Sequence, residues 1–191
     1  ETGSSLRYKT AGGWEEAAVS NETIKVFNAE DVEVEVVTTR HGGVVHGDPS
    51  SGLGIAVKWT ASDEPTLQWE VVSPMLRAKT VQEINQAQRG WVDPVNNFVT
   101  ADTSGNIGYL TRGRLPLRDS GSGKQVPIAG WTDAHEWGGD VPFEELPESV
   151  NPDSGFISTA NQRIQASHRP YISEMYAPPS RATRLTDVLT E

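Results

Sequence analysis

Two residues near the C-terminal end of this chain carry types and positions suited to chemistry. In Gly155-Phe156-Ile157-Ser158-Thr159-Ala160-Asn161-Gln162-Arg163, residues 156–159 read as a short buried strand that delivers a polar cluster at its end. An apolar strand ending in Ala-Asn-x-Arg can hold one amide side chain rigidly, and a rigid N–H donor is what an oxyanion hole needs. The plainer reading is that Asn161 ties down a turn, and on pattern alone it is the more economical one. Arg181 follows Ser180, the expected N-cap of a last helix. A cation in a helix's first turn opposes the macrodipole. That placement suits a partner for Arg181, either a carboxylate or a group in a site, whereas Arg184 is as well explained by solvent.

The elements that must position these residues read mostly as antiparallel strands. Tyr8, Trp14, Ile24 and Val26 belong to a hairpin-like start with Gly12-Gly13 as its turn. Residues 32–37 alternate valine with glutamate, then close on a second valine, the pattern of a half-buried strand with one wet face. His41, in Arg40-His41-Gly42-Gly43, reads first as a packed or hydrogen-bonding histidine, and His46 offers still less. Residues 48–52 have loop chemistry, and residues 53–60 return as a strand with Ile55, Val57 and Trp59 on one face. Residues 66–72 allow another strand. Thr80-Val81-Gln82-Glu83 is a capping box opening a helix with Val81, Ile84 and Ala87 on one face, closed by Gly90. Residues 98–101 and 107–112 form a hairpin around Asp102-Thr103-Ser104-Gly105-Asn106, with a glycine at positive φ. The last helix turns Ala182, Leu185, Val188 and Leu189 to one side.

Composition narrows the classes. The 191 residues allow one domain or a large part of one. A formal charge of -10 argues against nucleic acid as a partner. There is no cysteine, so thiol and disulfide chemistry is excluded. No stretch is apolar and long enough to span a bilayer. The acidic turn at 102–106 lacks the later ligands of an EF-hand. Gly121-Ser122-Gly123-Lys124 fails as a phosphate loop, because Arg118 stands at the earlier glycine position and Gln125 where a hydroxyl is required. Residues 1–5 read as an expression remnant, leaving 6–191 as a single domain or a fragment of one.

Several blocks, in order, resemble the catalytic β-chain of the penicillin acylase family of N-terminal-nucleophile hydrolases. They are Thr39-Arg40-His41-Gly42, Ala101-Asp102-Thr103-Ser104-Gly105-Asn106-Ile107-Gly108-Tyr109, and Gly139-Asp140-Val141-Pro142-Phe143-Glu144-Glu145-Leu146-Pro147. Asn151-Pro152-Asp153-Ser154-Gly155-Phe156-Ile157, Ala160-Asn161-Gln162-Arg163 and Arg181-Ala182-Thr183-Arg184-Leu185 complete the set. The resemblance implies an α+β fold, part of an αββα sandwich, mostly antiparallel with two or three short helices. It implies hydrolysis of a linear amide, such as the acyl side chain of a β-lactam or a homoserine lactone. The acyl-enzyme forms on an N-terminal serine whose own α-amino group is the base. Asn161 then matches the family's oxyanion-hole asparagine, and Arg181 the arginine that orients and polarises the centre.

The serine motif that opens the family's β-chain is missing here, which implies partners: an upstream part of the β-chain and an α-chain. This chain alone is expected to be inactive. The resemblance requires no cofactor and leaves room for a structural calcium ion in the complete protein, with Glu174 the nearest acidic candidate here. It implies an extracytoplasmic location. The alternative from another class is a noncatalytic secreted β-rich interaction module.

Overall fold

The structure is a computed structural model that describes residues 6–48, 52–63, 68–118, 126–165 and 169–191. The stretch read against a phosphate loop, the first five residues, positions 49–51 of the early loop and positions 66–67 of the strand allowed at 66–72 lie outside these. The chain forms two compact units: Glu1–Glu64 with Gly121–Glu136, and Pro65–Ser120 with Trp137–Glu191. Both are built on antiparallel sheets with short helices, the α+β class expected.

In the first unit, β1 (Arg7–Thr10) and β2 (Gly13–Glu16) form a hairpin closed at Thr10 and Gly13, where Gly13 takes φ 128°. A meander follows, with β3 (Ala18–Ile24), β4 (Val32–Thr39), β5 (Gly42–Asp48) and β6 (Leu53–Val57) in that spatial order. The strand expected at 53–60 stops at Val57. Thr60 begins the one-turn helix α1 (Thr60–Asp63), so Trp59 leaves the sheet.

The alternation in β4 sets its faces as expected but does not half-bury it. Val32, Val34 and Val36 share a face with Ile24 and, across the register, with Leu53, Ile55 and Val57. That face lies open: Leu53 is 68% and Ile24 53% exposed, whereas Val37, on the opposite face, is buried. Periodicity decides which side chains share a face; burial needs a second layer laid over them. His41 is a hydrogen-bonding residue. Its Nε2 meets the Gly130 carbonyl at 2.9 Å, and its Nδ1 lies 3.5 Å from the Glu136 carboxylate, which Arg40 and Lys58 also approach.

In the second unit, the passage allowed as a strand at 66–72 is helical where it is described. A 3-10 turn, Gln68–Val71, runs into α2 (Val72–Arg77). The Gln68 side chain accepts from the Val92 and Asp93 amides, so this segment is fixed by its side chain rather than by a ladder. Next comes α3 (Val81–Gln86), with a 3-10 turn, Ala87–Gly90, extending it. Its N-cap is Thr80, whose hydroxyl accepts from the Glu83 amide at 3.1 Å. The return half of the expected box differs, because the Glu83 carboxylate takes the Lys79 amide instead of that of Thr80.

A three-stranded sheet follows in the order β7 (Asn96–Ala101), β8 (Ile107–Arg112), β9 (Glu148–Val150). The turn at 102–106 forms as read, with Gly105 at φ 87°. Asp102 Oδ1 accepts from the Ser104 and Asn106 amides, and these bonds, with the Asn106 side-chain amide foremost, hold its carboxyl below the usual range. A depressed pKa contributes stability above the unfolded value, near pH 4, that is lost as pH falls through the folded value. Amide exchange across 102–106 should therefore stay slow at pH 4 and accelerate in stronger acid, and Asp102→Asn should abolish that dependence.

The core of this unit is Leu110, Leu115, Val141 and Leu146, with Val95, Phe143 and Ile172 against it. Helix α3 rests on β8, with Val81 fully buried. Gly108 makes the contact close: an added Cβ would overlap Val81 Cγ1 and lie 2.8 Å from Thr100 Oγ1. Gly108→Ala should cost about 1–3 kcal/mol by overpacking, read as a lower denaturant midpoint. Asn85 and Gln88 are also buried on this helix face. They bond Glu148 at 2.8 Å and Arg112 at 2.7 Å, so the face is more polar than the apolar periodicity predicts.

The last helix is α4 (Ser180–Thr190). Its N-cap is Pro179 rather than the expected Ser180, with no side-chain cap. Two prolines, 178 and 179, hold φ near the helical value, so the chain enters the helix one residue early. Leu185, Val188 and Leu189 remain 41–49% exposed.

Candidate functional site

Asn161 is delivered differently from the sequence expectation. Residues 156–159 join no strand ladder and are half-buried. Side chains hold the segment instead. Asn97 Nδ2 donates to Thr159 Oγ1 at 2.7 Å. Gln162 folds back, so that its Oε1 accepts from the Ala160 amide at 2.6 Å and its Nε2 donates to the Ser158 carbonyl at 3.2 Å. Ala160 is buried. Asn161 sits at φ 64°, a left-handed conformation that asparagine tolerates better than most residues, and its carbonyl accepts from the Ala177 amide at 2.9 Å.

The two residues singled out by sequence are brought together. Arg181 Nη2 donates to the Ala160 carbonyl at 2.7 Å and to Asn161 Oδ1 at 3.1 Å. Arg181 thus has the partner its position on the helix called for, but that partner is a pair of neutral oxygens, not a carboxylate. The electrostatic consequence is directional. A guanidinium only donates, so Oδ1 must face it, and the Asn161 Nδ2 hydrogens point away from Arg181. Among the described residues they meet no acceptor. Both side chains are exposed. The arrangement offers a fixed amide donor at the surface, backed by a positive charge. Such a donor can stabilise charge developing on a carbonyl oxygen.

Asn161 itself helps to line a pocket of about 280 Å³, with Asn97, Tyr109, Gln162, Ile172 and Tyr176. Tyr109 is buried on β8, and burial pushes its phenol above the ordinary value, so it stays protonated. Sequence reasoning passed over Asn97, Tyr109, Thr159 and Gln162 as working groups. The usable signal for Gln162 was its place inside the Ala-Asn-Gln-Arg block. Tyr109 had the same kind of signal, closing the block at 101–109, whereas Asn97 carries none, because only its cross-strand place opposite Thr111 brings it within reach. Glu174 is exposed, and among the described residues no three His, Asp or Glu side chains gather in a way that could hold a metal ion.

The family model described as Penicillin amidase matches residues 1–191. The chain is 36% identical over 177 residues to penicillin acylase 2 proenzyme of Pseudomonas sp. (strain SE83), a match covering 92% of this chain and 23% of that protein. It is 32% identical over 192 residues to acyl-homoserine lactone acylase QuiP of Pseudomonas fluorescens (strain Pf0-1), covering 97% of this chain and 23% of that protein. Among solved structures, a thermostable penicillin G acylase from Alcaligenes faecalis superposes with a TM-score of 0.69 at 23% identity, over 90% of this chain and 30% of the other. The chain thus spans about a quarter of the length of these curated relatives. With the family model matched from end to end and the fold shared, this chain belongs to the penicillin amidase family.

Proposed function

We propose that the complete protein containing this chain is an acylase that cleaves a linear amide through an acyl-enzyme. Its relatives' names, penicillin acylase and acyl-homoserine lactone acylase, support a substrate class in which an acyl group is carried on the amine of a β-lactam or homoserine lactone. In this reading an N-terminal serine, supplied from outside the matched quarter, attacks the carbonyl while its proton passes to the α-amino group. The carbonyl electron pair collects on oxygen, where the Asn161 Nδ2–H meets it. Collapse expels the amine with that proton, and water then cleaves the acyl ester. Arg181 orients the Asn161 amide and adds a positive field.

The observation that carries this reading is the Arg181 contact to Asn161 Oδ1, because it engages the acceptor end of the amide and leaves the donor end for a substrate. The open face built from Ile24, Val32, Val34 and Val36 supports the missing-partner part of the reading, since the remainder of an acylase would cover it. We place the parent protein outside the cytoplasm, as the family resemblance suggests. The chemistry needs no cofactor; a calcium ion in the complete protein would have a structural role.

The test is release of chromophore from a phenylacetyl or fatty-acyl anilide. This chain alone should be silent, and mixing it with the matching upstream polypeptide should give turnover. Turnover by the chain alone, or silence from a well-folded mixture across both anilides, would sink the reading.

A further inference from the structure

We infer that Asn97 and Thr159 are positioning residues for the reaction: a directed hydrogen-bond chain, Thr111 to Tyr109 to Asn97 to Thr159, sets the place of the Asn161 donor. The inference rests on the functional reading above. With the Asn97 amide oriented Oδ1 to Tyr109 and Nδ2 to Thr159, valence fixes the rest of the chain. Tyr109 Oη lies 2.6 Å from Asn97 Oδ1, which can only accept, so the single phenolic proton is used there. The 2.7 Å contact between Tyr109 and Thr111 must therefore carry the threonine's proton. Asn97 Oδ1 is thus committed to Tyr109, and its Nδ2 is left to donate to Thr159 Oγ1. The Asn97 amide and the Tyr109 and Thr111 hydroxyls thus each have one orientation.

The origin of the chain is rigid. Tyr109 and Thr111 are buried on the central strand β8, and Asn97 stands on its neighbour β7. The far end is the segment that no ladder holds. Residues 156–159 lack strand pairing, so the Asn97 bond ties Thr159 to the sheet two residues before Asn161. Ala160 lies between them, with its amide taken by Gln162 and its carbonyl by Arg181. A shift at Thr159 therefore passes through a single tightly bonded residue to Asn161. An ångström of misplacement of a catalytic group costs about a hundredfold, which bounds what this support can be worth.

The experiment uses the complete acylase with three variants. Thr159→Val keeps the shape and removes the acceptor; Thr159→Ser restores it; Asn97→Leu keeps the bulk and removes the donor together with the Tyr109 bond. Each is read as kcat and KM per mole of folded enzyme, beside its melting temperature. We expect Thr159→Val and Asn97→Leu to lower kcat by roughly tenfold or more with KM changed less than about twofold, and Thr159→Ser to recover most of it. Unchanged kcat in Thr159→Val, or a loss that tracks only the folded fraction, overturns the inference. Asn161→Ala is run alongside. If it abolishes turnover while the other variants do not, positioning alone has failed. If it leaves turnover intact, the functional reading has failed and the positioning role with it.

Discussion

Asn161→Ala in the complete acylase should lower kcat about a hundred- to a thousandfold, the usual loss for one oxyanion donor. KM should move little, because the Nδ2 hydrogens meet their target only once charge has collected on the carbonyl oxygen. A complication comes from the backbone. Asn161 stands at φ 64°, where alanine is strained by about 1–2 kcal/mol, so Asn161→Ala also perturbs the turn. Asn161→Gly separates the two effects, since glycine accepts the conformation and lacks the donor. If Gly is as impaired as Ala, the loss belongs to the amide. If Gly regains most of the activity, Asn161 is the turn residue of the plainer reading and the oxyanion role falls. Acylation should be followed in a single turnover, so that the deacylation step does not mask the effect.

What was legible in the sequence depended on how local the cause was. The Thr80 cap, the Gly105 turn and the hairpin of β7 and β8 are settled by neighbours within a few residues, and they form as read. Asn161 and Arg181 were legible separately, as family positions and, for Arg181, as a misplaced cation on the helix; the contact between them was not. Three features were not legible because their causes lie far along the chain or outside it. Residues 156–159 look like a strand by composition, yet their anchors are Asn97, about sixty residues away, and the back-folded Gln162. Val32, Val34 and Val36 carry the alternation of a half-buried strand and are open, because alternation says nothing of the covering layer. Asn85 and Gln88 interrupt the apolar face of α3, and only the partners Glu148 and Arg112 account for their burial.

Arg181 is the second residue whose loss should be felt strongly. Arg181→Met, which keeps bulk and removes donors and charge, should lower kcat about ten- to a hundredfold. That matches the roughly 1.5–3 kcal/mol typical of a hydrogen bond from a charged group. The route is the amide of Asn161. With the guanidinium gone, Oδ1 loses its fixed donor at 3.1 Å, and the side chain is free to turn its oxygen toward the substrate carbonyl, where it repels. The geometry also predicts the behaviour of lysine. Both contacts come from the one nitrogen Nη2, to the Ala160 carbonyl and to Asn161 Oδ1, so no bidentate fork is used between them. A lysine ammonium carries enough donors for both but is shorter and more strongly hydrated. Arg181→Lys should therefore retain an intermediate kcat, above Met and below the parent enzyme, with KM close to that of the parent. Full activity in Arg181→Met would mean that Asn161 is oriented without help. An Arg181→Lys variant as impaired as Met would mean that the length and planarity of the guanidinium matter more than its charge, and the field assigned to Arg181 would then have to be dropped.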